Sequence, residues 1–194
     1  MKIVIIDYKC GNVKSVQFAL QRLGYSALLS DDPSQIIAAD KVIFPGVGHA
    51  AYAMKVLRGQ QLDKVIPNLK QPVLGICLGM QLLCSFTEEG NTKGLGVLPV
   101  QIRKFDSDAS LKVPQMGWNA LVNCRGTLFD GVDNAYVYFV HSYYAELSPY
   151  TVAECAYGAS FSAALQKDNF YATQFHPEKS ADVGEQILAN FLKI

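Results

Sequence analysis

Gln71-Pro72-Val73-Leu74-Gly75-Ile76-Cys77-Leu78-Gly79-Met80-Gln81-Leu82-Leu83-Cys84 runs from a short apolar segment, through a glycine-flanked cysteine, into a segment of helical character. A G-x-C-x-G between a buried strand and a helix is the cysteine form of the nucleophile elbow. The tight turn leaves no room for side chains beside the nucleophile, which is why glycines flank it. It also lifts the sulfur out of the sheet to a helix N-terminus, where the macrodipole and free N–H groups suit a negative charge. A structural cysteine beside turn glycines would fit the same pattern, so the surrounding chain decides.

Upstream, residues 2–6 form a continuous β-branched run, the texture of a central parallel strand. Asn12 is placed to cap a helix over 13–23, with Val13, Val16, Leu20 and Leu23 on one face and Gly24 closing it. A strand near 26–29, a capped turn at Asp32-Pro33-Ser34 and a strand over 41–44 follow, the last ending in Pro45-Gly46-Val47-Gly48. Helical stretches are expected over 49–58, 60–69 and 80–84. Strand and helix alternating to residue 86 describe a doubly wound, mostly parallel α/β sheet with helices on both faces. Past residue 90, the segments 94–105, 112–123, 135–140, 151–157, 161–165 and 170–174 are short, β-rich and separated by turn residues; we expect them to add antiparallel strands. Residues 181–192 read as a closing helix. No linker or repeat interrupts the chain, so 1–194 is expected to form a single domain. Ligands of such sheets bind at the carboxyl ends of the strands, and both Gly46-Val47-Gly48 and Cys77 follow such ends.

Half of the residues are apolar and 18% are charged, which excludes disorder. The net charge of +0, without a Lys/Arg block, offers no bulk attraction to nucleic acid or a membrane surface. The opening apolar run ends at Asp7, too soon for a signal peptide, and no segment has the roughly 18 uninterrupted apolar residues of a membrane span. The five cysteines are odd in number and lack a C-x-x-C, favouring reduced thiols in the cytoplasm over disulfides or zinc.

A cysteine nucleophile needs a base, and three histidines are available. His49 opens a helix after the glycine loop. His141 ends the apolar run Val137-Tyr138-Phe139-Val140 and reads as a satisfied structural histidine. His176 follows the strand over 171–175, in His176-Pro177-Glu178. In extended backbone, residues two apart project to one side, so Glu178 can orient the imidazole as a triad carboxylate does. A strand-ending turn without chemistry is the competing reading. The segment from Gly46 to Ala51 loosely fits a dinucleotide fingerprint, but it follows the third strand rather than the first and a proline precedes it. The fingerprint needs its strand-turn-helix context and a ribose-binding acid to carry weight. A glycine-permitted loop presenting the N–H groups of Val47 and Gly48 to an oxyanion, with that of Leu78, is the better reading.

With these residues in view, the chain resembles the class I, triad-type glutamine amidotransferase family along essentially its whole length. The resemblance is carried by the Cys77 elbow, the 45–48 loop and His176-Pro177-Glu178, in the family's order. Further segments select one branch: Asp7-Tyr8 with Gly11-Asn12, Lys93-Gly94-Leu95-Gly96, Val113-Pro114-Gln115-Met116-Gly117-Trp118-Asn119, Phe139-Val140-His141-Ser142-Tyr143 and Gln174-Phe175-His176-Pro177-Glu178-Lys179-Ser180. That branch hydrolyses L-glutamine to glutamate and ammonia. It passes the ammonia to a separate (βα)₈-barrel cyclase subunit, which makes imidazole glycerol phosphate and an aminoimidazole carboxamide nucleotide in histidine biosynthesis.

The resemblance implies Cys77, His176 and Glu178 as the catalytic set and Gln81, Glu89, Ser142 and Tyr143 around the substrate. Asn12, Trp118, Tyr138 and Lys179 would face the cyclase in a heterodimer, and neither metal nor organic cofactor is implied. Lys9-Cys10 departs from the small residues usual there. Three alternatives remain open at this level: a paralogous glutaminase feeding amidino-sugar synthesis, a peptidase or chaperone-like protein on a related elbow fold, and a catalytically silent subunit that only binds a partner.

Overall fold

The runs over 2–6 and 41–44 form interior strands buried on both faces, the first lying next to the edge strand of the sheet. A computed structural model describes residues 1–106 and 111–194. Its first half runs β1 (Ile3–Ile6), α1 (Val13–Arg22), β2 (Ala27–Ser30), α2 (Pro33–Ile37), β3 (Lys41–Gly46), α3 (Ala50–Gly59), α4 (Leu62–Val65), β4 (Val73–Cys77) and α5 (Leu78–Leu83). β2, β1, β3 and β4 lie side by side and parallel. Successive residues of β1 face opposite ways. Ile3 and Ile5 join a core with Val16, Ala19 and Leu20 of α1, whereas Val4 and Ile6 join another with Ile36 of α2 and Met54 and Leu57 of α3.

The second half contains β5 (Cys84–Thr87), β6 (Thr92–Lys93), β7 (Leu98–Lys104), β8 (Gln115–Ala120), β9 (Tyr136–His141), β10 (Tyr143–Ala145), β11 (Thr151–Tyr157), β12 (Ala159–Lys167), β13 (Phe170–Thr173) and α6 (Ala181–Lys193). Antiparallel pairing dominates, as expected: β12 pairs with β10, β11 and β13, β7 with β10, and β8 with β9 as a separate ribbon. Two junctions are parallel instead. β5 runs parallel to β7, and β13 rejoins the first half parallel to β4, with Phe170 opposite Val73 and Thr173 opposite Ile76. A parallel pairing needs a long crossover, and the chain between β4 and β13 provides one. α6 closes the α1 face through Ile187, Leu188 and Phe191.

Three local expectations need correction. The 60–69 stretch is not one helix: α4 gives way to a 3₁₀ turn, Ile66–Asn68, because Pro67 lacks an N–H and its ring crowds the preceding turn. The helix after the elbow stops at Leu83, and Cys84 opens β5. Asn12 precedes α1 at φ −81°, ψ 58°, not the extended geometry of a capping residue. It caps no backbone N–H, and its Oδ1 accepts instead from the Ser15 hydroxyl at 3.0 Å. Asp32, in extended geometry, does cap α2, accepting from the Ser34 N–H at 2.8 Å. Among the described residues no helix is long and apolar enough to cross a membrane.

α5 lies directly on β3, and a Cβ on Gly79 would overlap the carbonyl oxygen of Phe44. A Cβ on Gly59, at the end of α3, would meet nothing within 4 Å. In urea denaturation, Gly79→Ala should therefore cost about 3 kcal/mol or more by overpacking against backbone. Gly59→Ala should be neutral or stabilise by up to about 1 kcal/mol. Equal effects of the two would contradict the close approach of α5 to β3.

Candidate active site

β4 ends and α5 begins at consecutive residues, so one residue must turn the chain. Cys77 does so at φ 53°, ψ −111°, a conformation that costs an L-residue on the order of 1–3 kcal/mol and persists where its surroundings enforce it. Its side chain is buried, with Sγ 3.7 Å from Gln174 Nε2 and 3.9 Å from the Val140 carbonyl.

β13 brings the second group. Since Thr173 lies opposite Ile76, the chain leaving β13 passes beside Cys77. The Gln174 N–H donates to the Ala163 carbonyl at 2.8 Å and the His176 N–H to the Tyr138 carbonyl at 3.0 Å, holding this segment from both sides. His176 Nδ1 lies 2.8 Å from Glu178 Oε1, both side chains buried. The pair forms by a different route from the extended backbone expected: Pro177–Lys179 is a 3₁₀ turn that folds Glu178 back onto the imidazole.

The carboxylate assigns the Nδ1 proton, leaving Nε2 as the unengaged ring nitrogen. Nε2 is buried and without a hydrogen-bond partner. Burial opposes protonation of His176, but the charge of the Cys77 sulfur and the Glu178 carboxylate outweigh it and raise the pKa to about 10.

These groups border a cavity of about 420 Å³ lined by Val47, Gly48, Cys77, Leu78, Gln81, Glu89, Pro114, Val140, His141, Ser142, Tyr143 and His176. The expected loop, elbow and substrate residues thus converge, and Glu178 stands behind His176. Glu89 is the one carboxylate in the lining; its Oε2 also accepts from the Ala50 N–H at the start of α3, at 2.7 Å. Gln81 is anchored, its Nε2 donating to the Tyr143 carbonyl at 3.1 Å and to Gln174 Oε1 at 2.9 Å. The loop departs from expectation in one respect. The Val47 N–H is not offered to the cavity, because it donates to the Cys10 carbonyl at 2.7 Å. Gly48 adopts φ 102°, a value glycine reaches without strain.

The other histidines are placed differently. His49 caps α3, its Nδ1 accepting from the Ala51 N–H at 3.2 Å. His141 is only half satisfied: Nδ1 lies 2.6 Å from the Tyr143 carbonyl, whereas Nε2 is buried without a partner. Its ring lies among Phe105, Phe139 and Phe161, and burial drives its pKa down to about 4. Outside the cavity, Trp118 is 50% exposed and meets the Tyr138 ring edge-on at 6.1 Å; Lys179 Nζ lies 5.9 Å from that ring on its other contact. These three residues form one surface cluster; Asn12 is half-buried before α1.

Gln174 is a site residue that the sequence reading misses, although it touches both the sulfur and Gln81. A signal for it exists, since it stands two residues before His176 at the end of a strand.

The family described as Glutamine amidotransferase class-I matches residues 4–194. The chain is 52% identical to "Imidazole glycerol phosphate synthase subunit HisH" of Bacteroides fragilis over 196 residues, covering 100% of both chains. It is 47% identical to "Imidazole glycerol phosphate synthase subunit HisH 2" of Campylobacter jejuni over 193 residues, covering 100% of this chain and 98% of that one. Among solved structures, a crystal structure of a glutamine amidotransferase is similar at TM-score 0.75 and 18% identity, covering 98% of this chain and 97% of that one. PurLQS from Thermotoga maritima is similar at TM-score 0.71 and 16% identity, covering 99% and 97%.

The burial of His141 makes a stability prediction. Below about pH 6.5 the unfolded chain protonates this histidine, whereas the fold keeps it neutral down to about 4. Stability should fall as pH drops through that window, His141 contributing about 3 kcal/mol of the loss. His176, with its raised pKa, acts in the opposite sense and loses its contribution as pH rises towards about 10. Denaturant titrations near neutral pH and at about pH 4.5 should show a smaller acid loss in His141→Gln than in the native chain. An identical loss in both would remove His141 as its source.

Proposed function

The chain belongs to the class I glutamine amidotransferase family, and on that premise we propose that it is the glutaminase subunit of an imidazole glycerol phosphate synthase, acting in histidine biosynthesis. The single observation that carries the mechanism is the convergence of a strained Cys77 and the buried His176–Glu178 pair on one cavity.

The reaction follows from the chemistry of these groups. The Cys77 thiolate attacks the side-chain carboxamide carbon of L-glutamine, and His176 Nε2 gives its proton to the departing nitrogen. Ammonia leaves and a glutamyl thioester remains. His176, now neutral, takes a proton from water, the hydroxide attacks the thioester, and glutamate departs as the thiolate is restored. Glu178 keeps the Nδ1 proton in place and stabilises the imidazolium without accepting the proton itself. Glu89, the carboxylate in the lining, suits the substrate ammonium. Gln81, Ser142 and Tyr143 complete the binding surface, and the Val47, Gly48 and Leu78 N–H groups receive the oxyanion.

Ammonia passes to a (βα)₈-barrel cyclase subunit. The cluster of exposed Trp118 and Lys179 with half-buried Tyr138 supports docking on that side, because aromatic anchors of this kind concentrate interface energy; Asn12 joins the same face in this reading. The names of the full-length relatives favour the histidine branch over amidino-sugar synthesis. We assign the protein to the cytoplasm, in keeping with five free cysteines.

Glutamate release should be slow for the chain alone and rise strongly with the cognate cyclase and its nucleotide ligand. Cys77→Ala should abolish the rise. No rise with this cyclase but a rise with an amidino-sugar synthase would move the protein to the paralogous pathway, and silence with both would favour a regulatory role.

The loop carries the activation. With its N–H on the Cys10 carbonyl, the Gly46–Val47 peptide is in a resting orientation and must turn to serve the oxyanion, a change that ligand binding in the partner selects. Val47→Pro removes this N–H in either orientation. Ligand-activated turnover should then fall about 100- to 1000-fold, while size-exclusion chromatography still shows the complex. Full activated turnover would place the oxyanion elsewhere.

A further inference from the structure

Neither the fold nor the mechanism above uses the hydroxyl of Tyr8. Its ring packs on Phe44, with centroids 5.2 Å apart, and the residue is 1% exposed. The hydroxyl oxygen is enclosed without a hydrogen-bond partner. A phenylalanine would fill this space equally well, and a buried hydroxyl with its hydrogen bond unmade is destabilising. Its position is specific. A Cβ on Gly46 would collide with the Tyr8 hydroxyl, the Gly79 nitrogen and the Leu78 side chain. The hydroxyl therefore touches the loop where the loop meets the elbow. Burial, reinforced by nearby Cys10 and Cys77, holds the phenol pKa well above its ordinary value. The group keeps its proton and is available as a donor.

The resting peptide shows what this donor can serve. The Val47 N–H donates to the Cys10 carbonyl at 2.7 Å, and in a trans peptide the Gly46 carbonyl points the opposite way. A half-turn that brings the N–H into the cavity swings the Gly46 carbonyl to the side the N–H has left. There it faces the Cys10 carbonyl, acceptor against acceptor. Of the unpartnered buried side-chain polar atoms among the described residues, the Tyr8 hydroxyl is the one against Gly46.

We propose that Tyr8 is a positioning residue whose hydroxyl donates to the Gly46 carbonyl once the peptide has turned, stabilising the orientation in which Val47 faces the substrate. The proposal rests on the loop reading given above. It also accounts for the unmade bond at rest: the hydroxyl is matched to the working conformation, and the resting one leaves it idle.

The test is Tyr8→Phe, assayed in the ligand-loaded complex beside Val47→Pro. Losing one hydrogen bond from the turned loop should lower kcat about three- to tenfold. KM for glutamine should stay near the native value, and the thermal midpoint should be unchanged or higher because an unmade polar contact has gone. A merely structural role predicts the reverse, a lowered midpoint with kcat retained. Native kcat in Tyr8→Phe, or a kcat loss that only follows a lowered midpoint, overturns the proposal. If Val47→Pro loses activity and Tyr8→Phe does not, the Tyr8 assignment alone fails. If Val47→Pro retains full turnover, the loop reading fails and the Tyr8 proposal falls with it.

Discussion

The parallel ladder between β4 and β13 is the contact on which the site depends. It sets Thr173 opposite Ile76 and so brings the ends of two strands, distant in the chain, to the same edge of the sheet. Cys77 leaves one strand and the His176 segment leaves the other. Neither group has chemistry alone: a thiol needs a base, and an imidazole without a nucleophile has nothing to activate. Backbone hydrogen bonding, whose geometry hardly depends on side chains, therefore brings the two groups to one place. The antiparallel β12 on the far side of β13 holds it in place.

A second constraint acts at the elbow. α5 must lie almost on the backbone of β3, where Gly79 meets the Phe44 carbonyl. That approach keeps Cys77 in a conformation an L-residue otherwise avoids. The strain is local, while its support is spread through the two cores that grip β4. Stability from ordinary apolar burial thus sustains an unfavourable geometry at one residue, and the sulfur gains its position at the end of the sheet.

The surface cluster and the buried pair share backbone. Tyr138 accepts the His176 N–H through its carbonyl at 3.0 Å and donates its own N–H to Ser180 Oγ at 3.0 Å. The Ser180 hydroxyl in turn donates to the His176 carbonyl at 2.7 Å. The ring of Tyr138 meanwhile contacts Trp118 and Lys179 outside. Pressure on that face by a partner would bear directly on the strand that positions the imidazole, a contiguous route of hydrogen bonds and packed rings.

Much of this was legible in the chain by itself, for local reasons. Glycines flanking Cys77, β-branched runs at 2–6 and 41–44 and the helical spacing of 13–23 express steric and hydrophobic rules that act over a few residues. Alternation of strands and helices was enough for a parallel sheet covered on both faces. His176-Pro177-Glu178 held its own pairing, although a 3₁₀ turn rather than extended backbone achieves it. What the tertiary structure decided is long-range or conformational. The joining of β13 to β4 depends on which strand edge is left open once the intervening chain has folded. The depressed pKa of His141 and its idle Nε2 come from rings contributed by three separate strands or loops. The orientation of the Val47 N–H is set by its bond to the Cys10 carbonyl, a contact between segments far apart in the chain that no local pattern records.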